Sequence, residues 1–299
     1  MSVATLNPAE RDAIFHVPEG AFDRGLAEVP PCLFADEQRR ALDRDAPTGL
    51  IAMDLSSTLG LGWPATTPAM LARYVVLRGG DSISHAFDAT GEVFYVIRGE
   101  GATQAGEACI EWAAGDLFVL PGASATQHEA RADSVLFCVT NEPEICYGGT
   151  RAPVAADNQV VAPALFKSAK IDESLGVVHA RTGPQRTAGK SVIFATTPMA
   201  RMKSILPTMT AAVNTLEPGG DQRPHLHNAA ALTLAIESEG VYSMVAGERI
   251  DWIPFGLMVT PARAMHSHHN RGAGMMKSLV LQDGALYYQL RNPGFAWTP

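Results

Sequence analysis

The chain repeats itself. Gly79-Gly80-Asp81 returns as Gly219-Gly220-Asp221, His85 as His225 and Pro121 as Pro261, each 140 residues further on. Ala105-Gly106-Glu107 returns as Ala246-Gly247-Glu248 at an offset of 141. Any one match could arise by chance, but a shared order at a near-constant offset marks a duplicated unit. Each copy is built from short strands. Residues 71–77, 93–98, 117–120 and 135–140 are apolar, β-rich runs punctuated by Gly, Asp and Pro, and the character resumes at 191–196, 208–216, 232–236 and 241–245. Such spacing predicts an all-β sandwich or barrel in each copy. The expected organisation is an N-terminal arm over 1–65 with one helix at about 35–44, a first barrel over 66–150, a Pro/Ala/Gly-rich connection over 151–190, and a second barrel over 191–299.

Five of the nine histidines lie between residues 219 and 270. The stretch opens G-G-D-Q-R-P-H-L-H and closes T-P-A-R-A-M-H-S-H-H-N. His225 and His227 are two apart among strand formers, so their imidazoles project from one face. His266 supplies a third nitrogen from the same hairpin-rich unit. Three such ligands suit a first-row transition metal. The offset shows what the first copy kept: Phe87 stands opposite His227, Thr126 opposite His266, and His128 opposite His268. The first barrel is therefore expected to be structural and without metal. A rival reading builds a site there from His85, Glu92 and His128, whose spacing also suits ligands.

A net charge of −8 without a basic cluster argues against a nucleic-acid partner. The opening M-S-V-A-T-L-N-P-A-E-R-D has no apolar signal core, and no run approaches membrane-spanning length. A soluble, cytoplasmic protein is expected. Cys32, Cys109, Cys138 and Cys146 show no C-x-x-C spacing and are read as free thiols, with Cys109 and Cys138 buried.

These motifs resemble the cupin superfamily. Its first motif, roughly G-x5-H-x-H-x3,4-E-x6-G, is partly present in both halves, and its second, G-x5-P-x-G-x2-H-x3-N, appears loosely at 115–128 and 261–270. Two cupins in one chain make a bicupin, with two double-stranded β-helix (jelly-roll) barrels. The second half is similar, more particularly, to the gentisate and salicylate 1,2-dioxygenases. Their H-R-H-N-x-S-A-L-R-F-I-x-E-G-x-G-A-Y-T, G-E-R, T-P-x-W-x-W-H-D-H-G-N and W-L-D-G-L are answered by H-L-H-N-A-A-A-L-T-L-A-I-E-S-E-G-V-Y-S, G-E-R, T-P-A-R-A-M-H-S-H-H-N and L-Q-D-G-A-L. The resemblance implies Fe(II) held by His225, His227 and His266 without a carboxylate, because the cupin glutamate falls at Leu232. It implies a substrate and catalytic contact at His268, places Asp283 on the family's aspartate, and implies a homo-oligomer, dimer or tetramer.

The departures concern the substrate. The family's arginine between the ligands is Leu226, the arginine that grips the substrate carboxylate is Thr233, and two tryptophans are Arg263 and Met265. The bidentate carboxylate clamp is missing, so Arg263 or Arg223 would have to act from another direction. Asn214 and Asn228 are further candidate polar contacts, and His269 is expected to face solvent.

Three neutral imidazoles leave about three octahedral positions for a substrate with adjacent oxygens and for O₂. His268 could take or hold the proton of an ionising substrate. The expected function is an Fe(II)-dependent ring-cleaving dioxygenase acting on a hydroxylated aromatic acid or a similar ortho-oxygenated small molecule. The competing readings are a metal-dependent isomerase, lyase or hydrolase, and a non-catalytic bicupin that binds a small metabolite, since fold does not choose among them.

Overall fold

The structure, a computed structural model, describes residues 7–154, 157–158, 160–181 and 189–297. Among these residues no helix is long and apolar enough to cross a membrane.

Each half is a pair of antiparallel sheets. In the first half, a six-stranded sheet runs in the order Ala164–Phe166, Leu117–Pro121, Gly91–Arg98, Ser134–Thr140, Leu71–Leu77, Gly49–Met53. Its four-stranded partner runs Ser82–His85, Thr126–Ala130, Glu100–Ala105, Ala108–Ala113. The second half repeats the plan. Its six-stranded sheet runs Cys32–Leu33, Leu257–Thr260, Ala231–Glu237, Met276–Gln282, Thr210–Leu216, Lys190–Phe194, and the five-stranded one runs Glu248–Asp251, Val241–Val245, His266–Asn270, His225–His227, Phe295–Trp297. The strands expected from sequence are present, with ends shifted by one or two residues, and the expected helix spans Ala35–Leu42. The N-terminal segment thus lends one strand to each half, and the stretch between the halves supplies a strand and the helix Ser168–Ala180.

The two larger sheets pack on each other, and this explains why their strands read as unbroken apolar runs. All seven residues of Leu71–Leu77 are buried. Ala72, Tyr74 and Val76 join a core shared by both halves, while Val75 and Leu77 join the interior of the first barrel. A strand covered on both faces loses the polar alternation of a half-exposed one. The Tyr74 hydroxyl donates to the carbonyl of Phe255 at 2.6 Å, which ties the halves together.

The barrel interiors differ. The first is filled by Phe87, Phe94, Trp112, Phe118, Leu120 and Leu136. In the second, an apolar cluster of Val241, Val245, Trp252, Met258 and Met276 closes one end. The contrast can be followed strand by strand. Phe94 pairs with Phe118 and Cys138, and the residue in the matching place is Thr233, which pairs with Met258 and Val280. Exchanging a ring for a small side chain leaves room.

One expectation fails. Cys109 is exposed, not buried, although all four thiols are free. Its strand alternates, and Ile110 and Trp112 take the inward face.

Candidate metal centre

His225 and His227 lie on one short strand with half-buried Leu226 between them. His266 is directly opposite His225 on the neighbouring strand. All three are buried and their ligand atoms lie within 4.8 Å of one another, the only such group among the described residues. Each ring donates its Nδ1–H to a main-chain carbonyl: His225 to Arg223 at 3.0 Å, His227 to Ala229 at 2.7 Å, His266 to Ala264 at 2.9 Å. A carbonyl can only accept, so the proton is fixed on Nδ1 and the Nε2 lone pair is left for a metal. Burial, the leading cause, lowers the pKa of all three, and that of His266 falls to about 2, helped by the charge of His225. The neutral, ligating form therefore prevails at ordinary pH. Leu232, where the sequence placed the cupin glutamate, turns its side chain into the core shared by the halves. By strand register the counterpart of Glu92 is Ala231, which also offers no carboxylate.

Asp283 does not line the site. Its Oδ1 accepts the N–H of Ala230 at 2.8 Å. That N–H belongs to the same peptide group whose carbonyl, Ala229, takes the proton of His227. Asp283 therefore orients a ligand through one peptide plane. Burial raises its carboxyl pKa to about 7. The neighbouring Gln282, which sequence reasoning passed over, donates from Nε2 to Nε2 of His227 at 3.1 Å.

His268 stands beside the triad, with ring centroids 6.0 Å from His266. Its Nδ1 meets the Ser243 hydroxyl at 2.7 Å, and that hydroxyl accepts the indole N–H of Trp252 at 2.7 Å. An indole N–H only donates, and the buried Ser243 hydroxyl has no other partner among the described residues to take its proton, so that proton goes to Nδ1. The ring's own proton then sits on Nε2. Burial drives the pKa of His268 down to about 3. A ring this deeply buried holds no proton beyond its own at neutral pH, so of the two roles expected for His268, taking a proton or holding one, the structure favours holding. The first barrel carries the same chain of groups: Trp112 donates to Thr103 at 2.8 Å, and Thr103 meets Nδ1 of His128 at 2.6 Å. His269 does not reach solvent freely either. It bonds Asp221 and stacks on Tyr242 at 4.6 Å.

The corresponding place in the first barrel is occupied by side chains. Phe87 stacks on His85 at 3.9 Å, with the Arg73 guanidinium 4.1 Å from the Phe87 centroid. His85 Nε2 is 2.9 Å from Glu92 Oε2, and both side chains are buried. His85, Glu92 and His128 do not form a group with mutually close ligand atoms.

A cavity of about 700 Å³ opens from the triad. Asn214 and Thr233 line it. Arg263 is exposed and lies outside it, while Arg223 sits 5.4 Å from the Trp297 ring and does not line it. Asn228 holds the lid. Its side chain donates to the carbonyl of Asn292 at 2.8 Å and its N–H to that of Gly294 at 2.9 Å. This positions Phe295 and Trp297 over His225, with centroids at 5.2 and 5.6 Å. Tyr287, Tyr288, Arg201 and Lys203 complete the mouth. None of these was legible as a site residue, because they come from a turn and a C-terminal segment without a motif.

No protein-family model matches the chain. It is similar to a gentisate 1,2-dioxygenase of Haloferax sp, with 28% identity over 130 residues, 42% of this chain and 36% of that protein. It is also similar to a 5-aminosalicylate 1,2-dioxygenase of Comamonas sp, with 30% identity over 115 residues, 36% of this chain and 30% of that protein. The matches thus span about a third of the length of these curated relatives. Among solved structures, a salicylate 1,2-dioxygenase from Pseudaminobacter salicylatoxidans superposes with a TM-score of 0.79 at 13% identity, covering 96% of this chain and 94% of that one. A cupin 2 conserved barrel domain protein from Leptotrichia buccalis gives 0.52 at 14% identity, covering 85% and 96%. The fold is a bicupin, and the resemblance read from the motifs is borne out.

Proposed function

We propose that this protein is an Fe(II)-dependent, ring-cleaving dioxygenase that acts on an ortho-oxygenated aromatic acid with O₂. The observation that carries the reading is the three-histidine centre, with each Nδ1–H held by a carbonyl so that Nε2 carries the lone pair a metal would need, at the inner end of a cavity sized for an aromatic ligand. The names borne by its sequence relatives support the same class. His225, His227 and His266 would hold the metal. Bound there, Fe(II) would supply the redox chemistry toward O₂ that no side chain offers.

The remaining work falls to the protein. His268 presents Nε2–H to a bound ligand, and with its pKa near 3 it is a poor base at neutral pH. Its role is to donate a hydrogen bond to an ionised substrate oxygen and hold it in place. Asn214 and Thr233 give the wall its polar contacts. Asp283 holds His227 in register through the Ala229–Ala230 peptide. Phe295 and Trp297 shield the centre from water. The first barrel, 66–150, is structural, the second, 191–299, carries the chemistry, and 1–65 and 151–190 serve as arm and connection. The same reading makes the enzyme a cytoplasmic homo-oligomer.

The test is anaerobic reconstitution with Fe(II), followed by an oxygen-electrode screen of ortho-hydroxy aromatic acids. Substrate-dependent oxygen uptake matching ring-opened product is expected. Turnover under anaerobic conditions with Zn(II), or no uptake across the panel at full iron content, would overturn the proposal.

A further inference from the structure

The cavity wall lacks the cation that an aromatic acid would need near the metal. Positions that line the cavity from the large sheet include Ala212, Asn214, Ala231, Thr233 and Val280, and none of that sheet's lining residues is charged. The only Arg or Lys side chains among the described lining residues are Arg201 and Lys203, and no Asp or Glu lines the cavity with them. Both belong to one turn at the mouth, the 3-10 segment Ala200–Met202 and the residue that caps it. Neither is engaged in an ion pair among the described residues. The turn is anchored. Met202 and Lys203 donate their N–H groups to the carbonyls of Met199 and Ala200 at 3.0 and 3.2 Å, and the next three residues, Ser204, Ile205 and Leu206, are fully buried. Lys203 has a φ of 54°, a left-handed conformation that costs a non-glycine residue energy. Two uncommitted cations on a rigid turn, with no acid beside them, make a pre-organised anion contact.

The triad is buried and the turn is exposed, so the two mark the inner and outer ends of the cavity. Tyr287 and Tyr288, beside the turn, and Phe295, beside His225, give the cavity aromatic walls. From this arrangement we infer that the substrate is an elongated aromatic acid. Its adjacent oxygens sit at the histidine centre, and its carboxylate, carried on a side arm remote from them, is held by Arg201 and Lys203. Substrate selection would then rest on the distance between the two groups, and a carboxylate attached directly to the ring beside the hydroxyl would find no cation. The inference rests on the aromatic-acid reading proposed above.

The experiment measures binding by calorimetry to Zn(II)-reconstituted protein, where no oxygen chemistry intervenes. The ligands are 2,3-dihydroxyphenyl acetate, propionate and butyrate, their methyl esters, and gentisate. At least one acid should bind about tenfold or more tightly than its ester, as expected for hydrogen bonds from charged groups at a partly solvated rim. The preference should shrink with added salt. In the Arg201→Gln/Lys203→Gly double variant, whose glycine suits the left-handed turn, the acid should fall to the affinity of the ester and the ester should not change. Equal binding of acid and ester in the parent, a preference that survives the double variant, or no binding of any acid would overturn the inference. Oxygen uptake by the Fe(II) form separates this from the broader reading. Uptake with acids and esters alike keeps the dioxygenase and removes the rim contact. Charge-dependent binding without uptake keeps the rim contact and removes the dioxygenase.

Discussion

Ser243→Ala and Thr103→Val perturb the same chain of groups in the two barrels, and in only one of them does that chain end beside the metal centre. Each substitution removes a fully buried hydroxyl from between an indole N–H and an imidazole Nδ1. Two hydrogen bonds worth about 1 kcal/mol each are lost, and leaving both partners dry raises the cost to about 2–4 kcal/mol. The contacts are alike in length, 2.7 and 2.7 Å against 2.8 and 2.6 Å, so the two variants should lose similar stability in urea unfolding. Their activities should part company. Without Ser243, nothing compels His268 to accept at Nδ1, and its proton is shared between the two ring nitrogens. With the proton shared about evenly, the competent tautomer falls to about half and kcat falls about twofold, while Thr103→Val leaves kcat unchanged. Steady-state oxygen uptake at matched iron content reads the difference. A Ser243→Ala enzyme with parental kcat, or a stability loss in only one barrel, would refute the argument.

Replacing His227 by alanine should remove bound metal and turnover while far-UV circular dichroism stays parental, since the cores do not depend on the site. Metal analysis should find about one equivalent per chain in the parent and almost none in the variant, and stoichiometric metal in the variant would sink the ligand assignment. Asp283→Asn keeps an acceptor for the Ala230 N–H and should cost little, whereas Asp283→Ala should cost about 1–3 kcal/mol and weaken metal affinity through His227. Equal losses in the two variants would show that charge, not the acceptor, matters. His128 tests pH dependence away from the centre. Burial, then the charge of His85, lowers its pKa from 6.5 to about 3. The folded protein therefore keeps His128 neutral where the unfolded chain protonates it. Its contribution to stability is full above pH 6.5 and drains as pH falls toward 3, at about 1.4 kcal/mol per pH unit. Asp283, raised to about 7, acts in the opposite sense below that pH, but it is common to parent and variant. His128→Gln should therefore flatten the stability profile between about pH 4 and 6 by that slope, and parallel profiles would contradict the assignment.

Much of the site was legible because it is local. Residues two apart on a strand share a face whatever surrounds them, so His225 and His227 had to point together. The repeat then carried long-range information. His85 pairs with Thr126 as His225 pairs with His266, which the constant offset had already implied. The loss of ligands at Phe87 and Thr126 followed from the same register. Apolar runs bounded by Gly, Asp and Pro located eight of the described strands, while the short and half-exposed ones carried no such mark.

Alternation says which residues share a face but not what lies opposite that face. Only packing the two large sheets together decided that Leu71–Leu77 would be buried on both sides. Only the packing turned Asp283 away from the cavity to brace a peptide, gave Ser243 and Trp252 to His268, and left Arg263 outside. The pair Arg201 and Lys203 is far in the chain from the pair Tyr287 and Phe295, and neither carries a periodic signal. They meet at one mouth because a turn and a C-terminal strand are folded across the open end of the second barrel, and that convergence exists only once the tertiary structure has formed.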